Sequence, residues 1–208
     1  MDKPARYTIF NTPLITPLLR LISLGIIKIL GWKTAGSKPE FKKYILIVAP
    51  HTTNWDLLYG SITAFALRLD LCYMAKHQLF RMPFGSLMRW LGGIKVDRRE
   101  SHNTVSETIS LFNKYENLVI AVSPEGTRSR VKHWKTGFYH IATGANIPIV
   151  AAFINIPEKT AGVGPVFYPS GNIEKDILKI GDFYRSISEN YLNTENLLDP
   201  DRLKSFKN

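Results

Sequence analysis

The sequence predicts an α/β fold: a single domain with a central, mostly parallel or mixed sheet flanked by helices, preceded by an N-terminal amphipathic helical extension. Two observations carry that prediction. From Tyr44 onward short apolar runs alternate with segments of helical period, and 208 residues suffice for one well-buried domain but not for two of ordinary size. The composition, 45% hydrophobic and 21% charged, is that of a globular protein, and neither a low-complexity tract nor an internal repeat interrupts it.

The extension comes first. Between Leu18 and Trp32 a helical projection gathers Arg20, Ser23, Lys28 and Gly31 on a narrow arc, interrupted by Leu24 and Ile27. Leu18, Leu19, Leu21, Ile22, Ile26 and Ile29 cover a broad apolar face. Residues 1–43 hold eight Lys or Arg against Asp2 and Glu40, a net +6 of the chain's +10. The charge-free runs are shorter than the ~20 residues a spanning helix needs. The pattern therefore favours a helix lying in a bilayer interface, basic side chains toward lipid phosphates and Trp32 at the headgroup level. A helix packed on the protein's own core is the competing reading. Arg20 and Lys28 argue against a cleaved signal peptide, whose apolar region tolerates no charge.

Strands are expected at Tyr44 to Ala49, Leu71 to Ala75, Ile94 to Val96, Leu118 to Val122, Pro148 to Phe153 and Val163 to Tyr168. Leu58, Ile62, Phe65, Ala66 and Leu69 have the spacing of a helix with one buried face. Val105, Ile109 and Phe112 repeat that pattern before the fourth strand, and Ile177 to Leu192 reads as a closing helix on the surface. His51 thus falls at the carboxyl end of the first strand. Asp56 falls in the first turn of the following helix, capped by Thr52, Thr53 or Asn54, where the helix dipole favours a carboxylate. Five residues apart inside one helix, two side chains diverge by about 140°. A loop-to-helix junction lets His51 fold back over Asp56.

A histidine held by a carboxylate can take a proton from a hydroxyl as that hydroxyl attacks a carbonyl. In open α/β sheets the crevices at carboxyl strand ends are where ligands bind. Two more carboxyl-end loops carry suitable groups: Gly92-Gly93-Ile94-Lys95-Val96-Asp97-Arg98-Arg99, and Ser123-Pro124-Glu125-Gly126-Thr127-Arg128-Ser129-Arg130. A turn with a glycine, a hydroxyl and a guanidinium fork suits a phosphate. The bland alternatives are solvated arginines and a Glu125–Arg128 surface ion pair. Cys72, the single cysteine, reads as a core thiol between Leu71 and Tyr73. His77, His102, His133 and His140 show no metal-ligand spacing, so no metal is expected. His133, Trp134 and Lys135 follow the second of these turns closely; lining its mouth is one reading, and ordinary loop residues is the favoured one.

Taken in order, His51 with Asp56, Gly93 to Arg98, Glu125 to Arg128 and Ile147-Pro148-Ile149-Val150 resemble the four sequence blocks of the glycerolipid acyltransferases, a family that includes 1-acylglycerol-3-phosphate and glycerol-3-phosphate acyltransferases. Ala75 to Phe80 and Pro83-Phe84-Gly85 look like its linking segment. The likeness covers residues 44–153, with Pro50, Lys95 and Ala151 departing from the usual pattern. It implies transfer of a fatty acyl group from an acyl-CoA or acyl-carrier-protein thioester, a co-substrate rather than a cofactor, to a hydroxyl of a lysophospholipid acceptor. It also implies that His51 is the general base, that Asp56 orients it, and that Lys76, Arg98, Glu125, Gly126, Thr127 and Arg128 bind the acceptor. Residues 1–36 would then form membrane-association helices and residues 37–208 the acyltransferase domain, held peripherally or monotopically at the cytoplasmic face of an anionic membrane.

The acceptor expected is 1-acylglycerol-3-phosphate; glycerol-3-phosphate or another lysolipid is the alternative. A reading of a different class is a noncatalytic basic module binding lipid or nucleic acid. Nucleic acid is not expected as a partner, because the basic blocks sit in loops beside an acid instead of interleaving with aromatic residues along strands.

Overall fold

A computed structural model describes residues 4–49, 55–96, 101–126 and 133–187. The elements in chain order are α1 (Ile15–Leu30), β1 (Lys33–Ala35), β2 (Lys43–Val48), α2 (Trp55–Ala66), β3 (Cys72–Lys76), a 3-10 turn (His77–Phe80), α3 (Gly85–Trp90), β4 (Gly93–Val96), α4 (Ser101–Lys114), β5 (Leu118–Val122), α5 (Gly137–Gly144), β6 (Ile149–Asn155), β7 (Thr160–Phe167) and α6 (Ile173–Ile187). All six expected strands are present, with ends displaced by no more than three residues. Strand β1 and helices α3 and α5 are additional. Each is short, and Lys-Thr-Ala or an eight-residue helix opened and closed by glycine leaves little periodicity to read.

The seven strands form one sheet in the order β1-β7-β6-β2-β5-β3-β4. Strands β2 to β6 run parallel wherever they pair, whereas β7 is antiparallel to β6 and β1 parallel to β7, so the sheet is mixed. A short turn joins β6 to β7, and only an antiparallel pair can be closed that way.

Alternate residues of β2 enter two separate cores, as the period of a strand requires. Ile45 and Ile47 pack with Phe112, Phe138, Ile177 and Ile180, under α4, α5 and α6. Tyr44 and Leu46 pack with Ala64, Val119 and Val150, under α2. Burial on both faces explains why β2 and β5 read as unbroken apolar runs. Cys72 lies in the first of these cores, and burial, followed by the nearby charge of Asp70, pushes its thiol up to about 12.

Two helices depart from expectation. Helix α6 begins at Ile173, and its inner face is core rather than surface: Ile177, Ile180 and Tyr184 are buried. Its expected end, residues 188–192, lies outside the described residues. Asp176 ties its first turn down, accepting hydrogen bonds from Tyr139 Oη at 2.9 Å, Ser170 N–H at 2.6 Å and Ser170 Oγ at 3.0 Å. Burial alone would raise this carboxyl, but those bonds hold it below the usual carboxylate range.

Helix α1 packs on α2 through the arc that holds Ser23, which is 4% exposed, and Arg20 Nε donates to the Ala66 carbonyl at 3.4 Å. Much of its broad apolar face points away from the protein, leaving Leu21 69% and Ile29 84% exposed with Leu18 and Ile22, while Leu19 and Ile26 are half-buried. Trp32 is stacked on Tyr59 with ring centroids 4.3 Å apart. Gly31 ends the helix in the left-handed region (φ 68°), where a side chain would be strained. Among the described residues no helix is long and apolar enough to cross a membrane.

Candidate functional site

Neighbouring strands β2 and β5 send the chain in opposite directions. After β2 the chain passes through α2 to β3 on one side, and after β5 it passes through α5 to β6 on the other. Helices α2 and α5 cover opposite faces. Such a divergence opens a crevice at the carboxyl ends of the two strands. The register makes both ends level, because Ile47 pairs with Val122, so the chain leaves β2 after Val48 and β5 after Val122 at one edge.

Four of the eight expected site residues are described, and all four lie on that edge. Asp56 is buried in the first turn of α2, where unsatisfied backbone N–H groups and the helix dipole favour a carboxylate. Lys76 is the exposed last residue of β3; counting on from the paired Tyr73 and Ala121 brings it level with Pro124. Glu125 is 8% exposed, and its carboxylate accepts a hydrogen bond from Ser123 Oγ. Gly126 adopts φ 65°, the left-handed conformation in which glycine is favoured. The other four, His51, Arg98, Thr127 and Arg128, lie outside the described residues, as do the expected caps Thr52, Thr53 and Asn54. The strands that lead to them end at this edge: β2 at Val48, β4 at Val96 paired with Lys76, and β5 at Val122.

The site has a floor that the sequence reading missed. Tyr184 comes up from α6 with its hydroxyl 3.0 Å from the carbonyl oxygens of both Ile47 and Ala152, donating between β2 and β6. Burial, and then the charge of Glu125 nearby, push that hydroxyl well above the usual tyrosine range, so it stays protonated. Trp134, 2% exposed, packs edge to face on Tyr184 at 5.7 Å and on Phe138. Lys135 N–H then donates to the Pro124 carbonyl at 2.7 Å, fastening this segment to the Glu125–Gly126 turn. The signal for Tyr184 was present in the spacing Ile177, Ile180, Tyr184. Nothing local marks Trp134, because its partners lie far away in the chain.

Exposed apolar side chains also flank Asp56 and follow β3. Trp55, Leu57 and Leu58 stand beside Asp56 at the start of α2, and Leu79, Met82, Phe84 and Leu87 follow β3. A cleft of about 460 Å³ between the N-terminal segment and the end of α2, lined by Phe10, Arg20, Lys38, Phe65, Arg68 and Asp70, opens at the other end of the sheet.

Comparison with known proteins agrees with this arrangement. The family model described as Acyltransferase matches residues 33–155. A 1-acyl-sn-glycerol-3-phosphate acyltransferase of Streptococcus pneumoniae (strain ATCC BAA-255 / R6) is 30% identical over 115 residues, 50% of this chain and 42% of that protein. The chain therefore spans less than half the length of that relative. The crystal structure of the 1-acyl-sn-glycerophosphate (LPA) acyltransferase PlsC from Thermotoga maritima shares the fold at a TM-score of 0.55 and 18% identity, over 84% of this chain and 79% of that one. With more than half of its length matched by the family model, the chain belongs to the acyltransferase family.

Proposed function

We propose that the protein is an O-acyltransferase that moves a fatty acyl group from an acyl-CoA or acyl-carrier-protein thioester to the free hydroxyl of a lysophospholipid, 1-acylglycerol-3-phosphate. The observation that carries this reading is that β2 and β5, the strands that lead into these two motifs, end level at one sheet edge, with Asp56 and Glu125 buried beside it. The streptococcal relative's name supports the acceptor.

In this reading His51 removes the acceptor's hydroxyl proton as the oxygen attacks the thioester carbonyl, and Asp56 holds the imidazole. The new C–O bond forms, the C–S bond breaks, and the proton passes from the imidazolium to the departing thiolate. An alcohol is scarcely ionised near neutral pH and needs a base, whereas a thiol of reference pKa ~8.5 leaves with little help. One base suffices. The chain has no Gly-x-Ser-x-Gly nucleophile elbow, and this route needs no covalent intermediate. Arg98, Thr127 and Arg128, with Lys76, grip the acceptor's phosphate. Glu125, buried and bonded to Ser123, shapes the turn and receives a glycerol hydroxyl of the acceptor.

The outward apolar side chains of α1 and those beside Asp56 support peripheral attachment to a membrane, which this reading places at its cytoplasmic face. The experiment is an assay of purified protein with acyl-CoA and acyl-carrier-protein donors against 1-acylglycerol-3-phosphate, glycerol-3-phosphate and a zwitterionic lysolipid. Thioester consumption is expected with the first acceptor and is expected to fall by ~10²–10⁴ in His51→Ala. A folded His51→Ala protein of undiminished activity defeats the assignment. Transfer to glycerol-3-phosphate alone moves the protein to another acceptor within the family.

A further inference from the structure

Lys135 follows the acceptor turn at a distance of nine residues and carries no motif of its own, yet its side chain lies across Gly126. A Cβ built on Gly126 would stand 2.8 Å from Lys135 Cδ, 2.9 Å from Cε and 2.8 Å from Nζ, so the outer half of the lysine occupies the space that any side chain there would need. Two features hold it in place. The bond from Lys135 N–H to the Pro124 carbonyl fixes the backbone at 2.7 Å, and buried Trp134 anchors the preceding residue in the core. The residue itself is exposed, and among the described residues no carboxylate forms an ion pair with its ammonium. Glu125, the adjacent acid, is turned inward to Ser123 and the neighbourhood of Tyr184. The result is a compact cation with three donors beside Gly126, the one position of the turn without a side chain.

We propose that Lys135 is a further binding residue for the acceptor's phosphate monoester and sets the preference for phosphorylated over uncharged acceptors. The inference rests on the function proposed above. Gly126 then has two reasons to be glycine: its left-handed backbone, and the passage it leaves for the lysine. The division of labour is chemical. An ammonium meets phosphate oxygens as a point charge and tolerates several approach angles, while planar guanidinium groups impose orientation.

The test compares the full-length wild type with Lys135→Met, which keeps an unbranched stem over Gly126 and removes the charge, and Lys135→Arg, which restores it. Steady-state kinetics at saturating acyl-CoA use 1-acylglycerol-3-phosphate and, in parallel, a monoacylglycerol without phosphate. Loss of one charge-assisted contact is expected to raise KM for the phosphorylated acceptor about tenfold with kcat little changed. KM for monoacylglycerol should stay put, and Lys135→Arg should recover most of the loss. An unchanged KM for the phosphorylated acceptor, or equal losses with both acceptors, overturns the proposal. Calorimetric titration with short-chain 1-acylglycerol-3-phosphate reads the same contact without turnover. Weaker binding by Lys135→Met than by wild type supports the contact even if no acyl transfer is seen, an outcome that would defeat the enzymatic reading alone. Equal binding, or no binding by the wild type, overturns it.

Discussion

Helices α1 and α6 are both amphipathic and of similar length, and they orient their apolar faces in opposite ways. Helix α6 turns Ile177, Ile180 and Tyr184 into the core beneath the sheet and keeps charged residues such as Lys175, Lys179 and Asp182 on its other side. Helix α1 places the small polar Ser23 against α2 and leaves Leu18, Leu21, Ile22 and Ile29 exposed. An apolar stripe therefore says that a helix needs a nonpolar neighbour, not that the neighbour is its own protein. The site lies near both. Tyr184 of α6 reaches its floor, and the end of α1 approaches the start of α2, where Trp32 meets Tyr59 in the helix that carries Asp56.

Substitutions can break or sharpen this contrast. The largest effect is expected from Ile180→Ala, which opens a hole in a fully buried region; large-to-small changes of this kind cost about 2–5 kcal/mol, read from urea or thermal unfolding. A cost near zero would mean that α6 does not complete the core. Next comes Asp176→Ala, which strands the Tyr139 hydroxyl and the Ser170 N–H, an expected loss of about 1–3 kcal/mol. This change carries a pH signature. The folded-state pKa of Asp176 is lowered, so its stabilisation is full above the unfolded value of about 3.9 and disappears as pH falls through the folded value. The wild type should therefore lose stability more steeply than the variant below about pH 4, and parallel acid-unfolding curves would refute the role.

The smallest effect on stability is expected on α1. Leu21→Gln and Ile29→Gln should each change the unfolding free energy by no more than about 0.5 kcal/mol, since neither side chain is packed. Together they should lower sedimentation with vesicles containing anionic lipid several-fold. If the double variant sediments with those vesicles as well as the wild type does, the outward face of α1 is not the attachment surface. Point changes are preferable to deleting the helix, because deletion would also uncover the α2 surface against which Ser23 packs.

The strands of the sheet were legible because burial on both faces writes itself as continuous apolar sequence, as in Tyr44 to Val48 and Leu118 to Val122. Strand β1 was not, since three residues at an edge need no apolar pattern and are held by backbone bonds to β7. Among the candidate site residues, Asp56, Lys76, Glu125 and Gly126 could be nominated from strand-end positions and the resemblance of their motifs. Tyr184 was legible only as part of the buried stripe Ile177, Ile180, Tyr184, and its bonds to β2 and β6, like the packing of Trp134, come from contact between segments far apart in the chain.

The amino-acid sequence by itself determined that an α/β sheet forms, which of its runs are strands, and which loops carry groups able to hold a phosphate and move a proton. These are local properties of period, capping and residue chemistry. Only the tertiary structure decided that β5 inserts between β2 and β3, which way the stripe on α1 faces, that Glu125 turns inward, and that Lys135 lies over Gly126. The physical reason is that strand order, burial and side-chain contact depend on partners distant in sequence, and no local periodicity encodes which partner a surface will meet.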